Sequence, residues 1–166
     1  MRKLRLLLFE ECNRNCIDCC NKDWDLKSLP IEDNYRGYNE ILLTGGEPML
    51  DPLLIIKTIK RIQYDVSKFT KIYLYTAKPY PPFELLGILN FVDGITITLH
   101  EQWDVEEFRF FNNLILNSNI NKSFRLNIFR NIDISSLDLS KWKVKKDIEW
   151  IKNRPLPEGE ILKRAY

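Results

Sequence analysis

No stretch of this chain approaches the roughly 20 consecutive apolar residues that a membrane-spanning helix requires, so a helical membrane protein is not the expectation. An excess of one charge is also lacking. Lys and Arg number 25 against 23 Asp and Glu, a net charge of +2, which is too balanced to argue for nucleic acid or an anionic membrane as a partner. Beyond Cys20 the remaining 146 residues contain no cysteine, which excludes a disulfide framework that closes long loops. Internal repeats, low-complexity segments and linkers are absent. With 166 residues, 45% of them apolar, the chain can bury one core but is too short for two ordinary domains. It is also too short for a complete eight-stranded α/β barrel of about 250 residues. The opening MRKLRLLLFEEC superficially suggests a signal peptide. Its apolar stretch is only Leu6 to Phe9, however, and Glu10 and Glu11 replace the small residues of a cleavage site. The expectation is a cytoplasmic protein with a buried first strand, organised as a single domain over residues 1–166.

What is present is a tight group of thiols at Cys12, Cys16, Cys19 and Cys20. Cysteines this close in a cytosolic chain read as a metal site. Zinc usually takes four protein ligands as two separated pairs. Here Cys-x3-Cys-x2-Cys supplies three thiolates from one loop, and Cys20 is too close to Cys19 to join the same site. Three thiolates suit a [4Fe–4S] cluster with one iron open to another ligand, while zinc and inert core cysteines stay as alternatives. Cys20 reads as a small buried residue.

Apolar patterning along the rest of the chain alternates between strand and helix. Strands are expected at Lys3 to Phe9, Glu40 to Thr44, Lys71 to Thr76, Gly94 to His100, Ser123 to Phe129 and, as a sixth, Val144 to Trp150. Residues 20–39 read as a polar loop with one irregular helical turn. Asp51 is placed to cap a helix that begins with Pro52 and carries Leu53, Ile56, Ile59 and Ile62 on its apolar face. A second helix is expected around Phe83 to Phe91. A third is capped by Asp104 with Glu107 completing a capping box, and Phe108, Phe111 and Ile115 form its apolar face. Such alternation predicts an α/β fold: a partial (β/α)6-type barrel with a parallel sheet of five or six strands and right-handed crossovers. In such sheets the chemistry gathers at the carboxyl ends of the strands.

Two motifs fall at that edge. The cysteine loop leaves the first strand, and Gly45-Gly46-Glu47 leaves the second. Two glycines at a strand end let the backbone pass close to a ligand, and Glu47 offers a carboxylate to a cationic amine. Alone, Gly-Gly-Glu is a weak signal, readable as an ordinary turn. One strand after three clustered cysteines it gains weight.

The pair of motifs resembles the radical S-adenosylmethionine (SAM) superfamily over residues 1 to about 130. The resemblance implies that Cys12, Cys16 and Cys19 hold a [4Fe–4S] cluster and that SAM chelates the open iron through its amino and carboxylate groups. Gly45, Gly46 and Glu47 match the segment that binds the methionyl amine. It further implies one-electron cleavage of SAM to methionine and a 5′-deoxyadenosyl radical that abstracts hydrogen, with a low-potential electron donor such as flavodoxin or ferredoxin. Asp18 departs from the family pattern, standing before the third cysteine where an aromatic residue usually helps to hold adenine.

Thr76 and His100 end the third and fourth strands on the same rim and are further candidates for contact with SAM or substrate. Arg125 and Asn127 share one face of the fifth strand, and Asn127 would reach SAM if that face is inward; alternation does not decide, because Leu126 and Ile128 would fill a barrel equally well. The run Lys141, Lys143, Lys145 and Lys146 reads as a solvated face, and Trp142 and Trp150 read as packing residues. The stretch Cys19 to Asp25 resembles the corresponding segment of small activating proteins of glycyl radical enzymes, such as the anaerobic ribonucleotide reductase activator. That resemblance implies a protein substrate whose backbone glycine loses a hydrogen atom, in keeping with a small core that has nothing to cover its open side. The alternatives are radical modification of a peptide, nucleoside or small metabolite, a non-catalytic iron–sulfur redox protein, and a zinc-stabilised interaction module.

Overall fold

The computed structural model describes residues 2–16, 19–22, 24–151 and 155–166. The strands are β1 Lys3–Leu7, β2 Glu40–Thr44, β3 Lys71–Thr76, β4 Gly94–Leu99, β5 Ser123–Phe129, β6 Lys143–Ile148 and β7 Glu160–Arg164. The helices are α1 Pro52–Asp65, α2 Pro82–Leu89 and α3 Asp104–Leu116. All strands join one seven-stranded sheet in the order β6-β5-β4-β3-β2-β1-β7, and every neighbouring pair is parallel. The two edge strands do not meet, so the sheet is an open, incomplete barrel.

The α/β class and the parallel sheet are those expected, but the strands number seven rather than five or six. The additional strand is β7. Its sequence EILKR has only two apolar residues and follows Pro155, Pro157 and Gly159, so it carries almost no periodic signal. Tertiary pairing defines it: it runs beside β1, with Arg5 bonded to Glu160 at 2.8 Å and Lys163 to Glu32 at 2.8 Å. Element ends also shift slightly, with β1 stopping at Leu7, α2 at Leu89 and β6 at Ile148. The loop at 20–39 holds two short 3-10 turns, Cys20–Lys22 and Leu26–Ser28.

Alternation along each strand divides the sheet into two faces. Leu4, Leu6, Ile41, Leu43, Ile72, Leu74, Ile95, Ile97, Leu126 and Ile128 pack with residues of all three helices in one core. In α1 the Asp51 carboxylate accepts the Leu54 N–H at 2.9 Å, a cap that typically contributes about 1 kcal/mol. The buried face of this helix is Ile55, Thr58, Ile59 and Ile62, whereas Leu53 is 78% exposed. The expected stripe from Leu53 to Ile62 is therefore corrected. Nine residues at 3.6 per turn put its two ends about 180° apart, and only the i, i+3, i+4, i+7 set can share a face.

The capping box at Asp104 is also corrected. Trp103 occupies the cap of α3 without a side-chain bond, and Asp104 is the first helical residue, fully buried. Phe108, Phe111 and Ile115 are buried as expected. Trp142 packs against Phe108 and Phe124 at 4.9 and 5.3 Å and donates its indole N–H to Asn112 at 2.8 Å. On the opposite, helix-free face, Leu7, Leu26 and Leu162 form a second small cluster with Trp24, Leu29 and Leu156. Part of that face is covered by the chain itself. Among the described residues no helix is long and apolar enough to cross a membrane.

Candidate functional site

Because all strands run parallel, their carboxyl ends line one edge. The cysteine loop follows β1, Gly45-Gly46-Glu47 follows β2, Thr76 closes β3 and His100 follows β4. A cleft of about 180 Å³ at this edge is lined by Cys12, Cys16, Cys19, Gly45, Gly46, Glu47, Thr76 and His100. Asn127 lies on the same helix-free face but in an adjoining chamber, its amide donating to Thr98 Oγ1 at 3.5 Å. The β5 ambiguity is thereby resolved: Leu126 and Ile128 face the helices, and Arg125 and Asn127 face the open side.

The glycines have a structural reason that the sequence does not disclose. Gly45 has φ +106°, and a Cβ there would lie 2.8 Å from the Phe9 carbonyl oxygen. A Cβ on Gly46 would lie 1.7 Å from the Glu11 carbonyl oxygen. The backbone that approaches is thus residues 9–11, the root of the cysteine loop, and the Glu47 N–H donates to Glu11 O at 2.8 Å. Lacking side chains at 45 and 46, the β2 loop is stitched directly to the residues that launch Cys12.

Glu47 is 2% exposed. Its carboxylate accepts the Met49 N–H at 2.9 Å, the Ala77 N–H at 2.8 Å and the Thr76 hydroxyl. Thr76 in turn accepts the Lys78 N–H at 2.9 Å, so both residues tie the end of β3 to the end of β2. Burial pushes the Glu47 carboxyl above the usual carboxylate range, against the three hydrogen bonds that favour its charged form.

Arg14, between the first two cysteines, is the anchor that sequence reasoning missed. Its guanidinium donates to both Asp104 oxygens, at 3.0 and 2.6 Å, and to the Ala77 carbonyl at 2.8 Å. The Asp104 carboxylate also accepts the N–H groups of His100 at 2.7 Å and Glu101 at 3.1 Å. Arg14 and Asp104 have only 7% and 0% of their side-chain surfaces exposed. The available signal was that Arg14 is the only charged residue between Cys12 and Cys16. On the far side of the loop, Lys22 donates to the Cys16 carbonyl at 2.7 Å and to Asn15 at 3.2 Å. The departure at Asp18 and the side chain of Cys20 lie outside the described residues.

Among the described residues no disulfide links Cys12, Cys16 and Cys19. Burial raises the Cys12 and Cys16 thiols above their ordinary value, and the neighbouring thiols, with Glu47 near Cys12, add to the rise. Thiolates there call for compensating positive charge, the donor chemistry that an iron–sulfur cluster meets. The three thiols line one cleft, and among the described residues no three Cys, His, Asp or Glu side chains are grouped as ligands of one ion. A cluster distributes its thiolates over separate irons, so three thiols around one cleft fit it.

His100 stacks parallel to Trp150, with centroids 5.2 Å apart and planes 7° from one another, and packs on Phe129 at 4.8 Å. Burial, then the Arg14 charge, lowers its pKa to about 4, so the imidazole is neutral at pH 7. Its Nδ1 is buried and has no hydrogen-bond partner among the described residues. Tyr75, Thr98 and Trp150 also line the cleft and were not anticipated there, because strand alternation alone does not say which face is open. In comparisons with protein-family models, curated proteins and solved structures, nothing matches this chain.

Proposed function

We propose that the chain is a radical SAM enzyme, in which Cys12, Cys16 and Cys19 hold a [4Fe–4S] cluster and the Gly45–Glu47 loop borders the SAM site. The supporting observation is that three thiols and Gly-Gly-Glu line one cleft, joined by the hydrogen bond from Glu47 N–H to Glu11 O. When bound, the cluster would supply the electron that cleaves SAM to methionine and a hydrogen-abstracting 5′-deoxyadenosyl radical. The chain's own part is to orient and to exclude water. Arg14 holds the cysteine loop against β3 and β4, Glu47 and Thr76 hold the Gly-Gly turn, and neutral His100 with Trp150 walls one side of the cleft. Thr76 supports the rim through Glu47, while His100 and Asn127 remain available to line a ligand. A low-potential donor such as flavodoxin or ferredoxin in a reducing cytoplasm completes this reading. Hydrogen abstraction from a glycine of a partner enzyme is the substrate assignment that the Cys19 to Asp25 resemblance favours.

The test is anaerobic reconstitution, then dithionite reduction with SAM and assay for 5′-deoxyadenosine. Product that is lost in Cys16→Ala supports the reading. A reducible cluster with no product and no spectral response to SAM moves the assignment to an electron-carrying iron–sulfur protein, and one zinc per chain without iron moves it to an interaction module.

A further inference from the structure

The helix-free face carries a second cavity that the cysteine cleft does not explain. It has a volume of about 340 Å³, and its walls include Arg5, Trp24, Tyr75, Asn127, Lys145 and Trp150. It adjoins the cysteine cleft, since Tyr75, Thr98, His100 and Trp150 line both. The volume is within the range of small-molecule sites, about 300–1,000 Å³.

Its cationic lining residues are Arg5 and Lys145. On this face Lys3 is paired with Glu40 at 2.8 Å and Arg5 with Glu160 at 2.8 Å. On β5 and β6 the pattern differs. Arg125 stands in register with Lys143, and Asn127 with Lys145. Among the described residues no carboxylate pairs with Arg125, Lys143 or Lys145, and Arg125 has only the Tyr73 ring, 5.6 Å away. Of these three cations Lys145 lines the chamber, so it is the one without a carboxylate partner that an anion there would meet.

The opposite wall is flat and aromatic. One face of Trp150 is occupied by His100, and Phe129 fixes both rings, 4.6 Å from Trp150 and 4.8 Å from His100. Trp150 nevertheless stays 36% exposed, so a rigidly held indole is presented to the cavity beside the Asn127 amide and the Thr98 hydroxyl. Indole faces held in this way favour stacking with another planar ring.

We propose that this chamber binds a small anion that carries a planar ring, the ring against Trp150 and the carboxylate or phosphate on Lys145. The binding of this ligand stands apart from the radical SAM reading. Calorimetric titration of the 166-residue chain, without SAM, separates the two, while 5′-deoxyadenosine assays report on the radical reading alone. The probes are uridine 5′-monophosphate against uridine, indole-3-carboxylate against indole-3-carboxamide, and inorganic phosphate. The two charged ring compounds distinguish a phosphate from a carboxylate ligand. At least one should bind tenfold or more tightly than its uncharged counterpart. Lys145→Met should weaken it about tenfold, and Trp150→Ala should remove its advantage over inorganic phosphate. Lys146→Met, whose side chain lines a different cavity, should leave binding unchanged. Equal binding of charged and neutral probes, no binding of either charged ring compound at millimolar concentration, or insensitivity to Lys145→Met overturns the proposal. So does a glycyl radical raised on a partner protein while neither ring anion binds.

Discussion

Removal of the Asp104 carboxylate isolates the interaction that sets the cysteine loop on the sheet. Asp104→Ala deletes an acceptor of two Arg14 bonds at 3.0 and 2.6 Å and of the His100 and Glu101 N–H groups. It leaves a guanidinium whose side chain is 7% exposed without its counter-charge, and Arg14 Nε already has no partner among the described residues. The Ala77 carbonyl and the Trp103 ring, 4.8 Å away, cannot neutralise it. Breaking a buried pair on one side typically costs about 3–5 kcal/mol, a large share of the roughly 5–15 kcal/mol available to a domain. For a chain of this length that corresponds to a fall in Tm of roughly 6–20 °C. Asp104→Asn should cost less, because an amide oxygen still accepts from the two backbone N–H groups. Arg14→Met combined with Asp104→Ala should be more stable than the sum of the single effects predicts, because no charge is then stranded. Urea unfolding followed by far-UV circular dichroism, with the slope checked for constancy, measures the wild type, Asp104→Ala, Asp104→Asn, Arg14→Met and the double variant. A loss below about 1 kcal/mol for Asp104→Ala, the range of solvent-exposed pairs, or strict additivity in the cycle, would refute this account of how the loop is held.

Gly46→Ala places a Cβ 1.7 Å from the Glu11 carbonyl oxygen, a backbone clash that rotamers cannot relieve. It should lower the Tm and the iron retained per chain after reconstitution together, and normal iron content in a stable variant would contradict it. Glu47→Gln turns an NH₂ toward either the Met49 or the Ala77 N–H, leaving one buried donor unsatisfied at a cost of about 1–3 kcal/mol in urea unfolding; an unchanged midpoint argues against the three-bond anchor. His100 supplies a pH dependence. Its pKa falls from the ordinary 6.5 to about 4 on folding, so between those values the unfolded chain binds more protons and stability declines as pH falls. The contribution, full above pH 6.5 and lost by about pH 4, is on the order of 3 kcal/mol. His100→Phe should remove that part of the wild-type pH profile, and parallel profiles for the two proteins would show that His100 does not carry it.

The local rules of the chain were enough for much of this protein. Strands β1 to β5 announce themselves as apolar runs, Asp51-Pro52 marks the start of α1, and the spacing of Cys12, Cys16 and Cys19 puts three thiols on one short loop wherever it lies. Parallel βαβ alternation was also enough to bring that loop and Gly45-Gly46-Glu47 to one edge, because connectivity alone sends the carboxyl ends of parallel strands the same way. What required the tertiary structure is whatever depends on a distant partner. β7 is a strand only because β1 has an open edge for it. Asp104 looks like a helix cap in sequence and becomes the buried counter-ion of Arg14, 90 residues away. The glycines meet the backbone of residues 9–11, a contact invisible to any window that holds only one motif. Arg125, Asn127 and Lys145 belong to the open face because the helices cover the other one, and side-chain alternation by itself leaves that choice undetermined. Sequence periodicity encodes which residues lie together on a face; only the packing of one element on another decides which face is buried and which is left for a ligand.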